Sequence, residues 1–313
     1  MKRLKFLISL LMEENHYQKQ HASAAQAMAL RLGVDVEIQY AGGDAITQCE
    51  QLLEAIQSSK ETRPDGIVCA PVGTTLIQVA RQAAAAGIGW AVLNREVEYI
   101  AELRSQHEAP IFSVTLDQSE IGRIQGRQIG ALLPEGGLVL YILGPSGNST
   151  AEQRLTWMQT VKPSNVQVRT LIGDWSQQSA HKAVGRWLQL RTSHTIPVNL
   201  VAAQNDDMAL GARRAFEEHT SGEQRERWGR LPYIGCDCCP AAGQEWVRRG
   251  LLTSSVVNPP TAGIALETMV RAIQSKSKAP ERTIVPPVSY PALEKLGTAA
   301  RKATVPQMVS HTG

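Results

Sequence analysis

Eight residues of this 313-residue chain stand at or just beyond the ends of apolar runs and carry one kind of chemistry: Tyr17, Asn94, Arg95, Arg154, Trp175, Asn205, Asp237 and Asn258. Asn and Asp supply acceptors and donors, Arg a planar fork of donors, and Trp or Tyr a flat apolar face. A polyhydroxylated ring asks for that combination, because each hydroxyl both donates and accepts while one ring face is largely C–H. No nucleophile, base and orienter stand together as a catalytic triad. No GxGxxG follows the first apolar run, and Gly144-Pro145-Ser146-Gly147 lacks the Lys-Ser/Thr of a phosphate loop. The set reads as a binding cleft rather than a reaction centre, with no catalytic residue and no cofactor.

Each residue also has a plainer reading. Asn205 could only cap a helix, and Asn258, before Pro259-Pro260, could only shape a turn. Arg95 could pair with Glu96 or Glu98, Arg154 could be a solvent-facing helix arginine, Trp175 could be core, and Asp237 a turn residue. Glu13, Glu14 and His16 read as solvated loop residues, and Arg123, Arg127, Arg248 and Arg249 as solvated helix faces.

The elements that must position these side chains follow from hydrophobic periodicity. The clearest unit is central: Val198 to Ala203 is an apolar run, Asn205 or Asp206 an N-cap, and Met208, Leu210, Ala212 and Phe216 open a helical pattern. A buried strand therefore feeds directly into a helix, and in open α/β sheets ligands bind at the carboxyl ends of strands. The same strand–helix rhythm runs from Leu4 to Leu93, with strands at Leu4–Leu10, Val34–Ile38, Gly66–Ala70 and Gly89–Leu93. It restarts after Ile111–Val114, with strands at Leu138–Leu143, Val166–Ile172, Val198–Ala203, Tyr233–Cys236 and Thr253–Val257. Alternating strands and helices predict parallel, doubly wound sheets. The expected architecture is α/β, two lobes of similar size joined near Val114–Asp117.

Composition agrees with a globular protein: 43% apolar, 19% charged, net charge +3. That charge is too small and dispersed to suggest nucleic acid or an anionic membrane surface. No stretch approaches about 18 consecutive apolar residues, so no membrane insertion is expected. Lys2, Arg3 and Lys5 precede Phe6–Met12 in the manner of a secretion leader, but Glu13-Glu14 stand where a small-residue cleavage site belongs. A first buried strand is the better reading. Of five cysteines, Cys236, Cys238 and Cys239 surround Asp237 without CxxC spacing or a nearby His, so no metal site is expected. Free thiols in one loop favour a reducing compartment, which points weakly to the cytoplasm.

The run Ala203-Gln204-Asn205-Asp206-Asp207-Met208-Ala209-Leu210-Gly211-Ala212 closely resembles a signature of periplasmic binding proteins of the ribose-binding type, the type I substrate-binding components of ABC sugar importers. Further matches follow in order: Leu93-Asn94-Arg95, Thr115-Leu116-Asp117-Gln118, Gly144-Pro145-Ser146-Gly147 leading to Arg154, Gly173-Asp174-Trp175, Gly235-Cys236-Asp237, and Gly250-Leu251 through Asn258. The resemblance covers about Leu4 to Val285. It implies two doubly wound lobes joined by a hinge, 1–114 plus 259–285 and 115–258 plus 286–313. It also implies a sugar or polyol held in the interlobe cleft without turnover. Asn15, Tyr17, Asn94 and Arg95 would come from the first lobe and Arg154, Trp175, Asn205 and Asp237 from the second, with Asn258 near the hinge. A membrane permease would be the partner and the periplasm the location. A cytoplasmic ligand sensor on the same core, like a lactose-repressor core without its DNA-binding domain, is the alternative, and an enzyme is third.

Two departures bear on the ligand. Asn94 stands where that family usually has Asp, and the first loop, Glu13-Glu14-Asn15-His16-Tyr17-Gln18, is longer than usual. A polyol, a modified sugar and an amino-bearing ligand all remain open at this stage.

Overall fold

The computed structural model describes residues 3–73, 76–194 and 196–296. In chain order the first elements are β1 (Lys5–Leu10), α1 (His16–Leu32), β2 (Asp35–Tyr40), α2 (Ala45–Gln57), β3 (Gly66–Cys69), α3 (Ile77–Ala85), β4 (Gly89–Leu93), α4 (Tyr99–Gln106) and β5 (Ile111–Leu116). There follow α5 (Gln118–Leu132), β6 (Gly137–Leu143), α6 (Ser149–Val161), β7 (Val166–Ile172), α7 (Gln177–Leu188), β8 (Val198–Ala203) and α8 (Asp206–His219). The chain continues through α9 (Gly222–Arg230), β9 (Tyr233–Ile234), α10 (Gly243–Arg248), β10 (Ser255–Val257), α11 (Thr261–Ser275), β11 (Arg282–Val285) and β12 (Val288–Tyr290).

These elements form two compact units. The first holds the residues through Asp117, with Asn148–Thr150 and Pro259–Pro286; the second holds Gln118–Gly147, Ala151–Asn258 and the described residues from Pro287. In the first unit six parallel strands lie in the order β11-β5-β4-β3-β1-β2. β3 and β4 are buried along their whole length, as near-continuous apolar strands covered on both faces must be. One apolar layer, with Phe6, Ile8, Leu10, Leu266 and Met269, lies between the sheet and α1 with α11. The opposite layer, with Leu7, Leu52, Val79, Trp90 and Leu103, packs under α2, α3 and α4.

The second unit carries a parallel sheet ordered β7-β6-β8-β9, and a separate antiparallel pair of β10 and β12. α7 and α8 pack closely on one face, where Phe216 stacks on Trp228 at a centroid distance of 3.9 Å and an interplanar angle of 12°. Gly211 makes that helix contact possible: a Cβ there would lie 2.1 Å from the carbonyl oxygen of Gln177. Because that neighbour is backbone, Gly211→Ala must force the helices apart. We expect a loss of about 1–3 kcal/mol or more and a thermal midpoint lowered by several degrees in a circular dichroism melt. An unchanged midpoint would contradict this packing account.

Helix starts at the strand ends are fixed by side chains. Asn15, Asp44, Ser176 and Asn205 each accept a hydrogen bond from the backbone N–H three residues on. Two of these caps, Asn15 and Asn205, are also candidate site residues.

Candidate functional site

The second unit brings five candidates together at the carboxyl ends of β6–β9 and β10. Asn205 caps α8 through Oδ1, which accepts from Met208 N–H at 2.8 Å, while Nδ2 donates to the Trp175 carbonyl at 2.9 Å. The amide therefore fixes the loop that carries Trp175 and keeps one N–H and one lone pair in reserve. Trp175 adopts a left-handed backbone, φ 75°, and its ring lies against Gly144, where a Cβ would come within 2.2 Å of Cζ2. Glycine at 144 is thus what gives the indole its place.

Arg154 is buried, 5% exposed, rather than solvent-facing. Its Nε donates to Gln118 Oε1 at 2.8 Å and its Nη1 to the Gln204 carbonyl at 2.6 Å, and the guanidinium carbon lies 5.8 Å from the Trp175 ring centroid. Gln204 is itself locked, accepting from Gly144 N–H and donating to the Ala151 carbonyl, both at 2.8 Å. These bonds leave Nη2 of Arg154 as its uncommitted donor among the described residues.

Asp237 sits at φ 101° in the loop after β9 and is buried. Asn258 Nδ2 donates to its Oδ1 at 3.0 Å and to Cys236 Sγ at 3.1 Å. Burial pushes the Asp237 carboxyl up to about 7, against the opposing pull of Arg154 and of the Asn258 bond. Asn258 is 1% exposed, and its Oδ1 has no protein partner among the described residues. A buried acceptor left open costs free energy unless something donates to it.

Asp206 holds this loop in place. Its carboxylate accepts from Ser255 Oγ and from Cys238 N–H, each at 2.6 Å, and a Cβ at Gly235 or Gly243 would collide with it at 2.2 and 2.0 Å. Complete burial, reinforced by Asp237 nearby, raises its pKa well above the ordinary carboxylate range. Cys236, Cys238 and Cys239 are free and buried around the same loop, and burial raises all three thiols, so they are neutral packing groups.

In the first unit, Tyr17, Asn94 and His21 form one cluster. Tyr17 Oη donates to the Pro259 carbonyl at 3.1 Å, and its ring meets His21 edge-on at 4.5 Å. His21 is wholly buried, which pushes its pKa down to about 3 and keeps it neutral. Ala262 N–H donates to Nδ1 at 3.2 Å, so the ring proton resides on Nε2, which lies 2.9 Å from the Asn94 amide. Asn94 Nδ2 faces that nitrogen while Thr261 Oγ1 donates to Asn94 Oδ1 at 3.0 Å; a neutral imidazole accepts at one nitrogen only, so we assign the amide with its oxygen and nitrogen exchanged, the oxygen towards His21. Asn94, at φ 57°, is therefore held by α1 and α11. Arg95 beside it is 8% exposed, and its Nη1 donates to the Gly73 carbonyl at 2.5 Å. It pairs with neither neighbouring acid: Glu96 is bonded to Arg282. Asn15, the cap of α1, is buried.

Sequence reasoning missed Gln118, Gln204, Asp206 and His21. Gln118, Gln204 and Asp206 lie in the runs that carry the family resemblance, and His21 on the inner face of α1, but none was named as a site residue. Of the arginines read as solvated, Arg123 stacks 3.8 Å over the Trp157 ring and also pairs with Glu120. No group of three or more His, Cys, Asp or Glu among the described residues is placed to hold a metal ion. No helix among them is long and apolar enough to cross a membrane.

Comparison with known proteins extends this picture. The family description "Periplasmic binding protein domain" matches residues 7–277. A candidate rhizopine-binding protein of Rhizobium meliloti is 30% identical over 193 residues, 59% of this chain and 58% of that protein. The chain spans less than two thirds of the length of the curated relatives it matches. Among solved structures, an ABC transporter periplasmic solute binding protein of Actinobacillus succinogenes with bound D-allose superposes with a TM-score of 0.78 at 20% identity, covering 95% of this chain and 100% of that one. An ABC transporter solute binding protein of Mycobacterium smegmatis with bound glycerol gives 0.76 at 22% identity, covering 97% and 98%. At that identity the likeness concerns the fold, two parallel-sheet units of the kind built here. The match over most of its length makes this chain a member of the periplasmic binding protein domain family.

Proposed function

We propose that this protein binds a small polyhydroxylated ligand, a monosaccharide or polyol, without transforming it, and delivers it to the membrane permease of an ABC importer from the periplasm. The observation that carries this reading is the buried group in the second unit. Arg154 Nη2 and an Asn205 N–H are donors; the Asp237 carboxyl and Asn258 Oδ1 are acceptors; Trp175 supplies an aromatic face. Every one of these groups is held by protein partners, so little ordering remains to be done on binding. Adjacent hydroxyls of a sugar would use a donor and an acceptor each, and its C–H face would lie on the indole. Tyr17, Asn94, Arg95 and Asn15 are the proposed contacts from the first unit. Support comes also from the D-allose and glycerol of the two solute-binding structures above, and from a third, of Bacillus halodurans, with bound myo-inositol.

Thermal unfolding against a panel of pentoses, hexoses, polyols and their acids tests this. A ligand at 100 times its dissociation constant adds about 2.7 kcal/mol, worth about 2–4 °C per kcal/mol. At least one member of the panel should raise the midpoint by that order. A flat response across sugars, polyols and their acids would overturn the reading.

A further inference from the structure

Arg95 is a buried cation of the first unit to which no opposite charge is bonded among the described residues. Taking a guanidinium out of water is unfavourable unless an opposite charge or a full set of acceptors replaces it. Among the described residues its hydrogen-bond partner is one neutral carbonyl, that of Gly73, bonded through Nη1. The nearest acid in sequence, Glu96, is taken by Arg282, and the residue before it is the neutral Asn94, tied to His21 and Thr261. Cys69 and Tyr99, the titratable groups closest in influence, are held neutral because burial raises both. With one Nη1 N–H on Gly73, no described residue hydrogen-bonds or ion-pairs the Nε–Nη2 edge of the fork, which keeps its two parallel N–H donors. Arg154 in the second unit differs, since its Nε is already committed to Gln118.

We propose that the ligand is a sugar acid or polyol acid, whose carboxylate is received bidentately on the Nε–Nη2 edge of Arg95. A carboxylate brings one negative charge and two coplanar oxygens, which match that edge in charge and shape. A phosphate dianion would bring a second charge that one guanidinium leaves unbalanced, and an amino-bearing ligand would place like charge beside a buried cation. This proposal rests on the binding role proposed above and narrows its ligand class.

The test is calorimetric titration with matched pairs: D-galactose and D-galacturonate, D-glucose and D-glucuronate, D-glucitol and D-gluconate. For at least one pair the acid should bind tenfold or more tightly than its neutral partner. Arg95→Gln should abolish that preference, and Arg95→Lys, which keeps charge without the fork, should reduce it. Asn94→Asp puts a competing carboxylate on the adjacent residue while still accepting the His21 Nε2–H, so it too should lower the preference and serves if Arg95→Gln does not fold. Neutral members binding as tightly as their acids, or a preference that survives Arg95→Gln, would overturn the carboxylate proposal and leave the binding role standing. Silence across every pair would overturn both.

Discussion

Arg154→Ala is expected to weaken ligand binding by about 30-fold or more. Truncating one member of a buried, hydrogen-bonded charged cluster costs about 2–5 kcal/mol, and each 1.4 kcal/mol is a factor of ten. Here the loss has three parts. The donor Nη2 disappears, the cation beside the Trp175 ring disappears, and Gln118 Oε1 and the Gln204 carbonyl lose their partner. Asp237 also loses the positive charge that favours its ionised form. Buried groups left unsatisfied cost about 1–3 kcal/mol each, so the unliganded protein should melt lower as well. Calorimetric titration at a temperature where the variant remains folded separates the two effects. An affinity within threefold of the parent would remove Arg154 from the ligand contacts.

Asp237→Asn should make the unliganded protein more stable at pH 8 while cutting its affinity for ligand. Moving a carboxyl from 3.8 to about 7 corresponds to on the order of 4 kcal/mol between its ionised and neutral forms. Between those values the unfolded chain has released the proton and the folded chain retains it, so folding stability falls as pH rises from about 4 through 7. Asp206, raised for the same reason, adds to that fall. His21 works in the other direction. Its folded value near 3 lies below the ordinary 6.5, so the stability of its neutral form is complete above 6.5 and is lost as pH falls towards 3. Asparagine at 237 keeps the acceptor for Asn258 and removes the charge, which should flatten the alkaline decline and leave the His21 slope exposed on the acid side. Denaturant unfolding at pH 5, 6.5 and 8 reads this directly. A variant whose pH profile parallels that of the parent would show that Asp237 does not titrate in this range. The lost affinity would be the cost of replacing a carboxylate, able to accept from two ligand hydroxyls, by an amide.

Much of this arrangement was legible in the sequence, for identifiable reasons. The run Val198–Ala203 followed by Asn205 is a strand and a capped helix, because both the apolar continuity and the cap chemistry are local. The same holds for β6 and β7, which coincide with the apolar runs Leu138–Leu143 and Val166–Ile172. Helices α4 and α9 left no such trace. α9, Gly-Glu-Gln-Arg-Glu-Arg-Trp-Gly-Arg, buries only Trp228 and offers no apolar stripe to read. The partners of the site residues were hidden for a different reason. Gln118 meets Arg154 across 36 positions, His21 meets Asn94 across 73, and Asp206 meets Ser255 across 49. Periodicity could place His21 on the inner face of α1, but not name what it touches. Asp206 read as the alternative N-cap to Asn205, whereas packing by Gly235 and Gly243 leaves it buried.

The most direct test of the account is isothermal titration calorimetry of the full chain with the sugars, polyols and sugar acids named above. Saturable binding of at least one of them is expected, with a stoichiometry of one ligand per chain. Absence of heat for all of them at millimolar ligand would contradict it.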